Sequence, residues 1–193
     1  PTVLQLKYMA ELLGVSINIG GMWHAGAYDP NDFLGRLISH DAQWVRHAEL
    51  GMFYAFNDNF FATQDHVDMF LGAFPEIDKN SASINIVGWP MEYMPDILNT
   101  VKTDKKKDLV LFPHRLAPEK QLEIFEDLAE ELKDHVEFVV CQKKKLSKKQ
   151  YHAMLGKAKI VFSANLQETL GISMYEGALC GAAPMVPDRL SYT

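Results

Sequence analysis

Short apolar runs alternate with longer amphipathic segments through the second half of the chain. This pattern predicts strands at 108–112, 136–141, 160–163 and 185–186, and helices at 121–132, 147–157 and 172–180. Strands separated by helices run parallel, because the crossover helix returns the chain to the same end of the sheet. The alternation therefore predicts an α/β fold with a doubly wound parallel sheet and a ligand at the carboxyl ends of its strands.

The first half carries the same kinds of element in a less regular order. We predict helices at 1–14, 32–40, 43–56 and 66–71, and strands at 15–19, 59–63 and 83–88. The chain opens on a helix and stops just after a strand, so we expect two domains that are both incomplete, the first at 1–101 and the second at 108–193. The polar, aperiodic segment 102–107 is the predicted linker between them.

Composition limits the class of protein. The 193 residues are 48% apolar, which is enough for a hydrophobic core, and no apolar run is long enough for a membrane span or a signal peptide. We therefore expect a cytoplasmic protein. Cys141 and Cys180 are the two cysteines, and their separation fits neither a zinc site nor a disulfide framework, so we expect buried thiols and no metal.

The charge is unevenly distributed. The net charge of −6 argues against a protein that coats nucleic acid nonspecifically, yet nine of the nineteen Lys and Arg residues fall in two clusters. They are Lys102, Lys105, Lys106, Lys107, Lys143, Lys144, Lys145, Lys148 and Lys149. The simpler interpretation is solvated loops, and the alternative is a basic rim around an anionic substrate.

The segment that follows the strand at 160–163 has the features of a ligand-binding loop. Glu168 precedes Gly171 and Ser173, and the helix that follows carries Glu176. Unpaired N–H groups in the first turn of a helix bind phosphate or sugar oxygens, and small residues let a ligand approach the backbone. The alternative is that Ser173 and Glu176 form a capping box, in which Glu176 only caps its own helix.

Two glutamates separated by seven residues, followed by Gly-Ala-Leu-Cys-Gly-Ala-Ala-Pro, resemble the nucleotide-sugar signature of retaining glycosyltransferases of the GT-B fold. The resemblance implies two Rossmann-like domains. It also implies that Glu168 contacts the donor sugar and that Glu176 holds the ribose hydroxyls. The turn formed by Gly171, Ile172 and Ser173 would then hold phosphate or sugar oxygens.

The loop after the strand at 108–112 extends the resemblance. In the same family this loop carries an Arg and, five residues later, a Lys that contact the donor diphosphate, and Arg115 and Lys120 have this spacing. Arg supplies a planar fork of donors and Lys a point charge, which suits the negative charge that develops on a leaving diphosphate.

The loop at 20–30 is rich in glycine and aromatic residues. We predict that His24 hydrogen-bonds a sugar hydroxyl, because loops at strand ends bind ligands in α/β folds and related transferases place a histidine beside the donor sugar. Trp23 or Tyr28 would lie against a sugar ring or a base. The alternative is that these aromatic side chains pack locally and that the loop is only a turn.

The resemblance implies transfer of a sugar from a nucleoside diphosphate sugar, with UDP as the expected nucleotide, to an acceptor hydroxyl. The reaction would retain the anomeric configuration and need no metal ion. The loop at 23–30 and the lysine clusters are also faintly similar to phage enzymes that glycosylate hydroxymethylated bases in DNA, so DNA is one expected acceptor. Two alternatives remain. One is a nucleotide-sugar epimerase, with His24, His47 or His66 moving a proton. The other is an inactive binding fragment.

Overall fold

The structure, a computed structural model, describes residues 2–38, 42–80, 83–103 and 105–192. Its contacts divide the chain into two compact units, Pro1–Trp89 and Pro90–Thr193. Both units are α/β, and the strands of each form a parallel sheet. No helix in the described ranges is long and apolar enough to cross a membrane.

The first unit has three described strands in the order β1-β2-β3. Its elements are α1 (Thr2–Leu13), β1 (Gly20–Met22), α2 (Phe33–Leu37), α3 (Gln43–Ala55), β2 (Asp58–Phe61), α4 (Gln64–Ala73) and β3 (Ile84–Ile86). An aromatic core fills the space between the sheet and its helices, with Phe53, Phe61 and Phe70 almost fully buried. The last residues of the predicted helix at 32–40 lie outside the described residues.

The predicted strand at 15–19 is wrong, since the chain joins the sheet only at Gly20. Gly20 and Gly21 read as a loop in the sequence, but here they form a strand against large aromatic rings. A Cβ at Gly20 would lie 2.8 Å from the Phe60 ring, and one at Gly21 would overlap the Phe56 ring. The close packing of these rings against the backbone requires glycine in β1.

The second unit has four described strands in the order β5-β4-β6-β7, all parallel. Its elements are α5 (Met94–Leu98), β4 (Lys107–Phe112), α6 (Leu122–Leu132), β5 (Glu137–Val140), α7 (Lys148–Lys157), β6 (Ala158–Phe162), α8 (Ile172–Leu179) and β7 (Ala183–Met185). The central strands β4 and β6 are buried and carry the core. The predicted doubly wound order of strands and helices is confirmed here.

The boundary between the units differs from the predicted linker at 102–107. Residues 90–103 belong to the second unit, because Met94 and Leu98 pack in its core. Within the predicted linker, the Lys106 ammonium donates to the carbonyls of Gly156 (2.9 Å) and Cys180 (2.6 Å). Lys106 therefore ties the ends of α7 and α8 to the start of β4. Cys141 and Cys180 are buried free thiols, as predicted.

Candidate functional site

Two loops meet at the carboxyl edge of the second sheet. One follows β4 and the other follows β6, and these strands are neighbours, so their ends lie side by side. The Leu166 amide donates to the Glu119 carbonyl at 2.8 Å, which fastens one loop to the other. Four of the predicted site residues lie on these two loops, namely Arg115, Lys120, Glu168 and Gly171.

Lys120 and Glu168 are brought together. The loop after β4 makes a 3-10 turn at Pro118–Lys120, which turns Lys120 inward until only 6% of it is exposed. Its ammonium donates to the Gln167 carbonyl at 2.7 Å and lies 3.6 Å from Glu168 Oε2. Burial lowers the pKa of Lys120, while the nearby Glu168 and Glu119 carboxylates oppose that shift.

Arg115 lies near the start of the same loop, where a carboxylate holds its guanidinium. Its Nε and Nη2 both donate to Glu119 Oε1, at 3.1 Å and 2.7 Å, while half of its side chain (51%) is exposed. The Glu119 side chain is buried, so the ion pair has one fixed partner and one partner that faces solvent. This arrangement fixes the direction of a guanidinium that stays accessible to an anionic ligand.

Both oxygens of Glu168 accept hydrogen bonds from its own loop. Asn165 Nδ2 donates to Oε2 at 3.0 Å and the Thr169 amide donates to Oε1 at 3.2 Å. Asn165 is fully buried, so it holds the carboxylate from beneath. Glu168 is therefore a positioned acceptor of hydrogen bonds beside the Lys120 ammonium.

Gly171 is the N-cap residue of α8 and adopts the left-handed conformation (φ 82°, ψ 41°). Ile172 is exposed and Ser173 is half-buried in the first turn, as expected for a turn open to a ligand. The capping-box alternative for Ser173 and Glu176 is wrong, because Gly171 rather than Ser173 occupies the cap position and the Glu176 carboxylate has a partner on another helix.

That partner is Tyr151 on α7, whose hydroxyl donates to Glu176 Oε2 at 2.8 Å. The other oxygen, Oε1, lies 3.9 Å from His152 Nε2, which is beyond hydrogen-bonding distance. The Glu176 side chain is 15% exposed. Burial, followed by the Glu176 charge, raises the pKa of Tyr151, so its hydroxyl stays protonated and donates.

A pocket of about 370 Å³ opens beside these groups at the carboxyl ends of β4 and β5. Three parts of the chain line it: the loop after β4, the end of β5, and the start of α7. The lining residues are Pro113, His114, Arg115, Cys141, Gln142, Lys145, Leu146 and Tyr151. The pocket is thus lined both by Arg115 and by Tyr151, whose hydroxyl donates to Glu176.

His114 and Tyr151 were not predicted from the sequence. His114 is buried near Lys120. Burial lowers the pKa of His114 to about 4, with the Lys120 charge as the second cause, so the ring is neutral at pH 7. The signal for His114 was its place two residues after a buried strand. Tyr151 gave no signal, because it lies in an ordinary amphipathic helix.

His24 belongs to the first unit, so its predicted role beside a donor sugar stays a prediction. It is exposed in the loop after β1, with its ring centroid 4.3 Å from that of Trp89. Trp23 is buried in the aromatic core, where its Nε1 donates to Asn59 at 2.8 Å, so the predicted contact of Trp23 with a ligand is wrong. Tyr28 hydrogen-bonds His66 Nε2 at 2.6 Å, which is the local packing given above as the alternative.

Comparisons with known proteins support the fold. No protein-family model matches the chain, and no curated protein matches it significantly. Among solved structures, the chain is similar to Anabaena HepE in complex with UDP and glucose (TM-score 0.62, 12% identity, 98% of this chain). It is also similar to a UDP-forming α,α-trehalose-phosphate synthase from Burkholderia xenovorans (TM-score 0.60, 12% identity, 97% of this chain). A third neighbour is the pneumococcal O-GlcNAc transferase GtfA in complex with UDP and GlcNAc (TM-score 0.55, 10% identity, 90% of this chain).

The chain spans 57% of HepE, 61% of the synthase and 38% of GtfA. At these identities the likeness establishes the fold alone. The predicted fold class is confirmed, since both units have Rossmann-like parallel sheets of the GT-B type.

Proposed function

We propose that the chain is a retaining glycosyltransferase that binds a nucleoside diphosphate sugar at the carboxyl edge of its second sheet. The observation that carries this proposal is that one pocket touches both Arg115 and Tyr151, the partner of Glu176. A nucleoside diphosphate combines a ribose diol with a diphosphate. Arg115 lines the pocket, and Glu176 accepts a hydrogen bond from the pocket residue Tyr151, so a cation and a nearby carboxylate match both parts of that ligand.

In this proposal Arg115 and Lys120 bind the diphosphate. Glu119 directs the Arg115 guanidinium, and the turn at Pro118–Lys120 buries the Lys120 ammonium, where a charge is more effective than in water. These two cations neutralise the charge that develops as the nucleotide leaves. We therefore propose a transfer in which side chains, rather than a metal ion, stabilise the leaving group.

Glu168 would accept hydrogen bonds from the donor sugar, and the N-terminal turn of α8 would hold phosphate or sugar oxygens. The hydrogen bonds from Asn165 and the Thr169 amide hold Glu168 for this contact, and the proposed transfer requires no carboxylate nucleophile. The bond between the anomeric carbon and the diphosphate oxygen breaks, and its electron pair leaves with the diphosphate. The acceptor oxygen bonds to the same face of the sugar and passes its proton to a diphosphate oxygen.

UDP is the nucleotide to test first. The Anabaena HepE and pneumococcal GtfA structures contain UDP, and the Burkholderia enzyme is UDP-forming. For the acceptor we keep the hydroxymethylated DNA base that the sequence suggests, with a saccharide hydroxyl as the alternative. The acceptor is tested by transfer of radiolabelled glucose from UDP-glucose to DNA with and without 5-hydroxymethylcytosine. Transfer only to the hydroxymethylated DNA supports the DNA base as acceptor, and no transfer to either DNA favours the saccharide hydroxyl.

Calorimetric titration with UDP, GDP and ADP tests the donor site. We expect selective binding of one nucleotide, weakened about tenfold or more in Arg115→Ala and Glu176→Ala, because each removes a charge-assisted contact. Lys133→Ala and Glu130→Ala are matched controls, since these side chains pair with each other on the surface at the end of α6. Equal affinity in all four variants, or no binding of any nucleotide by the wild type, would contradict the proposal.

A further inference from the structure

Tyr151 lies between the pocket and Glu176. Its ring lines the pocket and its hydroxyl donates to Glu176 Oε2. The start of α7 fixes its place, because Ser147 and Gln150 form a capping box and the Tyr151 amide donates to the Ser147 carbonyl at 2.9 Å. Tyr151 is therefore presented to α8 by a well-defined helix end rather than by a mobile loop.

The Tyr151 hydroxyl donates to Glu176 Oε2 at 2.8 Å, because a carboxylate oxygen can only accept. This partly buried hydrogen bond joins α7 to α8 across 25 residues of the chain.

The hydrogen bond from Tyr151 restricts the Glu176 carboxylate before any ligand binds. Oε2 is held by Tyr151, whereas Oε1 lies too far from His152 for a hydrogen bond. A free glutamate side chain would lose rotamer freedom on binding a ligand, and a side chain that is already held loses less. Holding Glu176 in place thus favours any ligand whose hydroxyls donate to it.

We propose that Tyr151 is a positioning residue for ribose recognition, holding Glu176 so that the carboxylate distinguishes ribonucleotides from deoxyribonucleotides. This inference rests on the donor site proposed above. Tyr151 would thus control the selection of the sugar in the nucleotide without itself touching the ribose hydroxyls.

The test compares UDP with 2′-deoxy-UDP by calorimetry. The wild type should prefer UDP, and Glu176→Ala should abolish the preference. Tyr151→Phe, which removes only the hydroxyl, should reduce the ratio of the two affinities by about threefold to tenfold and leave the affinity for 2′-deoxy-UDP almost unchanged. Tyr175→Phe is the matched control, since Tyr175 is an exposed neighbour of Glu176, and it should keep the wild-type ratio. Circular dichroism checks that each variant is folded.

A purely structural role for Tyr151 predicts that both affinities fall together and that their ratio stays constant, which would overturn the inference. If Tyr151→Phe keeps the wild-type ratio of UDP to 2′-deoxy-UDP affinity while Glu176→Ala abolishes the preference, the role of Tyr151 is also overturned. The proposed donor site would then still be supported. Absence of UDP binding by the wild type would overturn the proposed function and this inference with it.

Discussion

Gly171→Ala tests whether the turn into α8 has the conformation described. Gly171 has a φ of 82°, and an added Cβ would lie 2.5 Å from Cε1 of Tyr192. The left-handed conformation costs a residue with a side chain about 1–2 kcal/mol. Reduced freedom in the unfolded chain returns about 0.4–1 kcal/mol. The clash with the half-buried Tyr192 ring adds about 1 kcal/mol or more. We therefore expect a net loss of about 2 kcal/mol in the free energy of unfolding.

The assay is urea unfolding followed by far-ultraviolet circular dichroism, since the tryptophans all lie in the first unit and do not report on the second. Gly72→Ala is the control. Gly72 lies in α4 with nothing within 4 Å of an added Cβ, so this variant should gain up to about 1 kcal/mol from helix propensity. If Gly171→Ala has wild-type stability or higher while Gly72→Ala is stabilised, Gly171 does not have the left-handed conformation and close contact described.

Three further outcomes are expected. Burial lowers the pKa of His114 to about 4 from an ordinary value of 6.5, so its contribution to stability is complete above pH 6.5 and is lost as the pH falls to 4. Between pH 7 and pH 5 the loss from this residue should be about 2 kcal/mol, and His114→Asn should show a correspondingly weaker pH dependence in urea unfolding. An unchanged pH dependence would contradict this. Phe125→Ala should lose about 3–5 kcal/mol, because Phe125 is fully buried among three other phenylalanine rings, and a loss below about 1 kcal/mol in the same assay would contradict that packing. Lys120→Met keeps the length of the side chain and removes its charge, so UDP affinity measured by calorimetry should fall about tenfold while the chain stays folded, and an unchanged affinity would remove Lys120 from the site.

The sequence predicted the second unit better than the first, for a physical reason. Strands β4, β5 and β6 are apolar runs between amphipathic helices, so their pattern follows directly from burial. β1 is a Gly-Gly strand, and only the Phe56 and Phe60 rings packed against it explain its composition. The second unit begins before the predicted linker because Met94 and Leu98 pack in its core, and the partners of Lys106 lie 50 and 74 residues further along the chain.

The candidate site shows the same division. Arg115, Lys120, Glu168 and Glu176 were predicted from the resemblance of their pattern to the GT-B glycosyltransferase signature, and the structure places Lys120 beside Glu168. Tyr151 was not predicted, because its hydroxyl meets Glu176 across 25 residues, and only the packing of α7 against α8 brings them together. Local patterns identify the loops, whereas the contacts between helices depend on the tertiary fold.

An amide chemical-shift titration of the ¹⁵N-labelled chain with UDP tests most directly whether the nucleotide binds at the second sheet. We predict saturable shifts concentrated at 113–120, 141–151 and 171–173, the loops and helix starts at the carboxyl edge of the second sheet. Shifts confined to residues 1–89, or no shift at millimolar UDP, would contradict this prediction.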